Sequence, residues 1–366
     1  MRRWLAIVTV GAASLVPASA QAIDYAPVDH PGPSLSVPQG QLDAALSCHG
    51  ALDSGPGPVL LVPGTAYSPE TDFSWNWEPA LTKLGISWCA VELPGNGMGD
   101  VQVAGEYVVN AIRSMYARAG HRISIVGHSQ GGMLPRWAFR FWPDTRSMVD
   151  DEIGLSPSNH GTLDADVVCI PGCAPSFWQQ ADRSEFIKAL NSSQETFPGI
   201  SYTVAYTRLD EIVVPNLNEQ GSSALHGGGG DVTNVAVQEV CPLDVSEHLA
   251  IGTYDNTAYA LAIDALEHPG PADPSRIPSS VCLQPLMPGV NPATFATDEL
   301  NSVAGVAGSV VSFPHVPAEP PLACYVTATC PGGAVAAANA TSSTPKKCKN
   351  GKHLKHGKCV KRRKKK

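Results

Sequence analysis

Apolar and polar positions alternate along this chain in two rhythms. Short apolar runs, "PVLLVP", "ISWCAVELP" and "RISIVG", are each followed by a stretch with helical spacing: "WNWEPALTKLG", "VAGEYVVNAIRSMYARAG" and "QGGMLPRWAFRFW". A near-continuous apolar run of strand length suits a strand covered on both faces, and the intervening helices supply that cover. "EIGLSP" (152–157) and "ISYTVAYT" (200–207) extend the strand series, and a last long helix is predicted from about Leu249 to Glu267. Between His268 and Pro292 proline recurs too often for regular structure, so that segment is expected over the surface, held by Cys282. A further helical pattern, "PATFATDELNSVAGVAGSVV", leads to a proline-rich exit at Pro314–Pro321. The predicted fold is α/β, with a mostly parallel central sheet and helices on both faces.

The two ends read differently. "MRRWLAIVTVGAASLVPASA" has a basic start, an apolar run too short to span a membrane, and small residues at Ala18 and Ala20. Residues 1–20 are therefore expected to be a secretory signal, although cleavage after Ala22 fits nearly as well. One catalytic domain is expected over 21–322, a small-residue linker over 323–345 and a basic tail over 346–366. That tail holds 12 of the 25 Lys and Arg and no acid, which leaves 13 basic against 33 acidic side chains in the remainder, a net of −20. A body this acidic does not suit nucleic acid or acidic substrates, so a neutral substrate is expected; the chain is also expected to be a monomer.

Ten cysteines in an exported chain point to disulfides. No C-x-x-C or H-E-x-x-H pattern occurs, and neither metal nor organic cofactor is expected. Order along the chain suggests pairing Cys48 with Cys89, Cys169 with Cys173, Cys241 with Cys282, Cys324 with Cys330 and Cys348 with Cys359.

Gly127-His128-Ser129-Gln130-Gly131 fits G-x-S-x-G, between a β-branched strand and helix formers. A nucleophile on so sharp a turn has strained backbone angles, and glycines on either side let strand and helix pass close. Ser129 would stand at the carboxyl edge of the sheet. Pro135, five residues into the following helix, is expected to kink it or loosen its first turn.

A nucleophilic serine needs a base and an orienting acid, here in the chain order Ser, Asp or Glu, His. Of the later histidines, His353 and His356 fall in the basic tail, and His268 and His315 in proline-rich loops. His226 opens "HGGGGD", which reads as a flexible turn. His248, between Cys241 and the last helix, occupies the position the base requires. Asp210 directly follows a strand candidate, with Glu211 its nearest rival and Asp231 and Asp244 behind. The oxyanion needs donors, each worth roughly 3–4 kcal/mol. The N–H of Gln130 is one candidate, and Gly64 and Thr65 in "LLVPGTAY" offer the other.

"LLVPGT", "EYVVNAI", "SQGG", "DEIV" and "WQQ", in varying detail over about Leu42 to Pro320, resemble the Candida antarctica lipase B family of α/β-hydrolases. The resemblance implies a Ser129, Asp210 and His248 triad, with Thr65 giving its N–H and hydroxyl alongside Gln130. It also implies the Cys48–Cys89 and Cys241–Cys282 bridges.

There are departures. The family has Trp where this chain has His128 beside the nucleophile; the smaller ring either widens the alcohol side of the pocket or packs under the sheet with its nitrogens satisfied. Ser158 replaces an acidic residue, so acyl-pocket contacts with Gln180 should differ. Cys169 and Cys173 bracket the region of the small lid, where a bridge would stiffen the flap.

The expected reaction is two-step hydrolysis of lipid or other neutral esters through an acyl-enzyme. The alternatives are a cutinase-type polyester hydrolase and a non-catalytic wall-binding protein with a hydrolase body. The expected location is extracellular, with the lysine-rich tail expected to contact an anionic cell surface or wall.

Overall fold

Seven strands form one sheet: β1 (Leu46–His49), β2 (Val59–Val62), β3 (Trp88–Val91), β4 (Ile123–His128), β5 (Val149–Leu155), β6 (Ser201–Tyr206) and β7 (Asp231–Ala236). Their spatial order is β1-β3-β2-β4-β5-β6-β7. Only β1 runs antiparallel, and its Cys48 stands opposite Cys89 of β3, to which it is disulfide-bonded. The computed structural model describes residues 23–329 and the backbone of 352–355 and 358–361.

Strand order reverses at β2, which lies between β3 and β4. Chains leaving β2 and β4 at their carboxyl ends pass to opposite faces, which opens a crevice there. The strand period of two divides each buried run between two cores. Leu60, Val62, Ile123 and Ile125 join the helices Val101–Ala119 and Gln130–Phe141 on one face. Val59, Leu61 and Val126 join Trp77–Lys83 and Asn256–Glu267 on the other. Both faces are covered, so β2 reads as an unbroken apolar run, while β5 is interrupted by Asp150, Asp151 and Glu152.

Several expectations change in detail. The last long helix is two helices, His248–Thr253 and Asn256–Glu267, because the Asp255 side chain caps the second by accepting from Ala258 N–H. The helix over Pro135 runs from Gln130 to Phe141, its first turn closed by Gly132 N–H donating to Ser129 O. The proline-rich stretch after His268 carries two 3-10 turns, Pro274–Arg276 and Ser279–Leu283.

Residues 323–328, expected in the linker, belong to the main body. Tyr325 packs on Trp137, Phe141 and Trp142, and Ala26 N–H donates to Val326 O. The chain divides at Ala328 and Thr329 into two units. The second contains an antiparallel hairpin of β8 (Lys352–Lys355) and β9 (Lys358–Lys361). Cys48–Cys89, Cys169–Cys173 and Cys241–Cys282 are bonded. The other two expected pairs, and the expected signal peptide, involve positions outside the described residues.

Candidate active site

Ser129 leaves β4 with φ 53° and ψ −120°, a combination that strains any residue with a Cβ. The backbone holds it there. Its N–H donates to Leu155 O at 2.8 Å, and its flanking glycines admit no substituent. A Cβ on Gly127 would lie 2.1 Å from Gly131 O, and one on Gly131 would lie 2.0 Å from Val62 O. The sharp turn and the close strand-to-helix approach are therefore one feature, as G-x-S-x-G implies.

Asp210 lies in the loop after β6, where its Oδ1 accepts N–H bonds from Ile212 (3.1 Å) and Val213 (2.7 Å). Its Oδ2 accepts from Asn216 Nδ2 at 3.3 Å and from His248 Nδ1 at 3.0 Å. His248 begins the helix His248–Thr253, with Glu247 as the cap accepting from Leu249 and Ala250 N–H. The sequence left Glu211 as a rival to Asp210. The structure assigns it a different contact: Glu211 Oε2 accepts from the backbone N–H of His248, while Asp210 meets the ring.

Burial alone would raise the Asp210 carboxyl, but the charge and hydrogen bond of His248 and two backbone amides outweigh it and hold the group below its ordinary value. For His248, burial acts to lower the imidazole. The charge and hydrogen bond of Asp210, with Glu211 and Glu247 further off, outweigh that and raise it. The pair is thus an imidazole whose proton-accepting strength is increased by a buried carboxylate.

His128 links the two halves of the site. It adjoins Ser129 in sequence, and its ring centroid lies 5.4 Å from that of His248. Among the described residues no hydrogen bond joins Ser129 Oγ to His248 Nε2, a contact that free enzymes commonly leave open until substrate arrives.

On the far side, Gly64 and Thr65 follow β2. Thr65 Oγ1 accepts from Gln180 Nε2 at 2.9 Å, leaving the hydroxyl proton free to donate elsewhere. Gln180 is steered in turn by Ser158, whose Oγ donates to Gln180 Oε1 at 2.8 Å. Ser158, which stands where the resemblance puts an acidic residue, thus contacts Gln180 as a neutral donor. Gln130 opens its helix, where its N–H has no intrahelical acceptor, and its side chain donates to Gly97 O.

His128 matches neither alternative in full. It is completely buried, so it adds no open space beside the nucleophile, and only one of its nitrogens is satisfied. Nδ1 bonds Asp72 Oδ1 at 2.9 Å, while Nε2 has no partner. Asp72 is the polar residue that sequence reading missed. It looks like an ordinary first-turn acid of the short helix Pro69–Phe73, yet it is fully buried. Nothing local marks it, because its partner His128 is 56 residues away.

Exposed apolar side chains surround this edge. Val168 and Ile170 follow β5, Leu209, Ile212 and Leu217 follow β6, and Leu243 and Val245 follow β7. The Cys169–Cys173 bridge closes the segment bearing Ile170, and Cys173 pairs its backbone with Val316 in both directions. Among the described residues no cluster of ligating side chains could hold a metal ion. None of the helices there is long and apolar enough to cross a membrane.

No family model matches the chain. Over 222 residues it is 37% identical to lipase B of Pseudozyma antarctica, covering 59% of this chain and 64% of that protein's length. The crystal structure of Aspergillus fumigatus lipase B superposes with a TM-score of 0.75 at 33% identity, covering 82% of this chain and 75% of that one.

Proposed function

The chain belongs to the lipase B family of α/β-hydrolases, and on that premise we propose that it is a secreted serine hydrolase of carboxylic esters, acting on lipid esters. Ser129 attacks the ester carbonyl while His248 takes its proton, Asp210 fixes the ring so that Nε2 faces outward, and the alcohol leaves protonated by His248. Water then repeats the steps on the acyl-enzyme. The N–H groups of Thr65 and Gln130, with the Thr65 hydroxyl, receive the oxyanion.

The observation that carries this reading is the strained Ser129 next to His128, whose ring lies 5.4 Å from that of His248, itself bonded to the buried Asp210. The apolar rim on the loops after β5, β6 and β7 favours a substrate presented by a lipid phase over a small polar ester. Three disulfides among the described residues fit an oxidising compartment. The lysine-rich tail would adhere to anionic surfaces, an attraction that weakens with salt.

The test is covalent. A fluorophosphonate should label the wild type at Ser129 and leave Ser129→Ala unlabelled, and that substitution should cost on the order of a million-fold in turnover. Hydrolysis of emulsified triacylglycerol against a polyester film separates a lipase from a polyester hydrolase. Failure to label Ser129 would remove the proposal.

A further inference from the structure

Asp72 and His128 sit behind the reacting atoms, and each touches more than one part of the site. The Asp72 carboxylate accepts from Gly64 N–H at 2.9 Å through Oδ2 and from His128 Nδ1 at 2.9 Å through Oδ1. One buried side chain thus ties the loop after β2, which carries Thr65, to the last residue of β4, which carries Ser129.

His128 extends the tie to the helix that carries His248. Its ring lies against Gly252, one turn beyond His248 on the same helix, where a Cβ would come within 2.2 Å of the imidazole carbons. Gly252 O in turn accepts from Trp77 Nε1 at 2.8 Å, and Tyr67 closes the remaining side with its ring 5.3 Å from His128. A Cβ on Gly64 would lie 3.3 Å from that of Ser129 and 3.4 Å from His128 Nδ1, so the oxyanion loop and the nucleophile are in direct contact above the pair.

Both carboxylate oxygens are used by donors, and the pair is fully buried. A buried polar pair is costly to build, and its hydrogen bonds add little net stability compared with apolar side chains of similar volume. Its distinctive property is directional: two hydrogen bonds at fixed angles join two loops that apolar packing would leave free to slide.

We propose that Asp72 and His128 are positioning residues for this reaction. They set the distance between the oxyanion donors at Gly64–Thr65 and the Ser129 oxygen, and they seat the helix that carries His248. This rests on the reading of Ser129 as nucleophile. Donors that act only on the transition state change kcat and leave KM alone, and a displacement of about 1 Å in such a site costs on the order of a hundredfold.

The experiment uses the full-length protein and counts active sites by phosphonate titration, so that losses in folding do not enter kcat. Asp72→Leu/His128→Leu replaces the pair with apolar volume. We expect kcat per titrated site to fall roughly 10- to 100-fold with KM within about threefold of wild type. His128→Leu should show a similar loss. His128→Gln, which keeps an N–H for Asp72, should fall between His128→Leu and wild type. If either leucine variant turns over per titrated site at the wild-type rate, or if glutamine is no better than leucine at 128, the pair serves folding alone and the proposal fails. A wild type that neither hydrolyses esters nor takes up the phosphonate would overturn the assigned reaction instead, a separate and recognisable result.

Discussion

Asp210→Asn tests the coupling between carboxylate and imidazole with little change in shape. The amide oxygen must take the Oδ1 position, since the N–H groups of Ile212 (3.1 Å) and Val213 (2.7 Å) both point there. The new NH2 then stands where Oδ2 was, 3.0 Å from His248 Nδ1 and 3.3 Å from Asn216 Nδ2. Nδ1 also stands 2.9 Å from the Oδ1 position, but its hydrogen bond is made to Oδ2, so donor would face donor unless His248 moves its proton to Nε2, and in that tautomer Nε2 can no longer take the Ser129 proton in the proposed reaction. Comparable triads lose about ten-thousandfold in kcat through the wrong tautomer, equivalent to about 5.5 kcal/mol. The pH profile should change as well. His248 must be neutral to act as base, and its raised value puts the acid limb of wild-type kcat/KM above the ordinary imidazole value of 6.5. In the variant, burial still lowers the imidazole while its largest opposing influence is gone, so the residual activity should have its limb displaced toward acid. Stopped assays with p-nitrophenyl butyrate from pH 5 to 9, normalised by active-site titration, measure both effects. Retention of more than a tenth of wild-type kcat, or a limb displaced toward alkali, would refute the reasoning.

Other outcomes follow from packing and burial. Gly131→Ala sets a Cβ 2.0 Å from the Val62 carbonyl and 2.6 Å from that of Pro63; backbone cannot yield there, so a thermal melt should show a loss of about 3 kcal/mol or more together with loss of activity. Replacing Cys48 and Cys89 by serine opens a loop with a sequence separation of 41 and should cost about 4 kcal/mol on a chain-entropy basis, read as a lower denaturant midpoint. Glu152 is 1% exposed, both its oxygens lack partners, and burial pushes its carboxyl up to about 8 despite Arg136. The native state then holds a proton that the unfolded chain releases near pH 4.5, so Glu152 makes stability fall as pH rises from about 4.5 to 8. Glu152→Gln should remove that fall, with a gain over wild type that grows to at most on the order of 5 kcal/mol by pH 8; a gain independent of pH would contradict it.

The sequence was most legible where a local rule dominates. Strands buried on both faces favour apolar runs, so β2, β3, β4 and β6 were visible, whereas β5, "VDDEIGL", carries three acids after its first residue and only its second half showed. The nucleophile turn was visible because its geometry excludes any residue but glycine at 127 and 131. Edge strands were not. β1, "LSCH", is half exposed, and β7, "DVTNVA", carries polar residues on a sheet edge, so neither shows a period that separates it from a loop. The break between His248–Thr253 and Asn256–Glu267 was hidden because apolar spacing continues across it, while the capping role of Asp255 depends on a side-chain bond.

Chain order and position after strands are what single out Ser129, Asp210 and His248 as the proposed triad. The amino-acid sequence alone determined the alternation of strand and helix, the strained serine and the acidic body with its basic end. Tertiary structure alone decided which acid faces His248, since Asp210 and Glu211 are adjacent in the chain and differ only in where the loop after β6 points them. It also decided the contact between Asp72 and His128. Hydrogen bonds between residues 56 apart leave no periodic trace, and only folding brings a carboxylate, an imidazole and a backbone amide to one buried point.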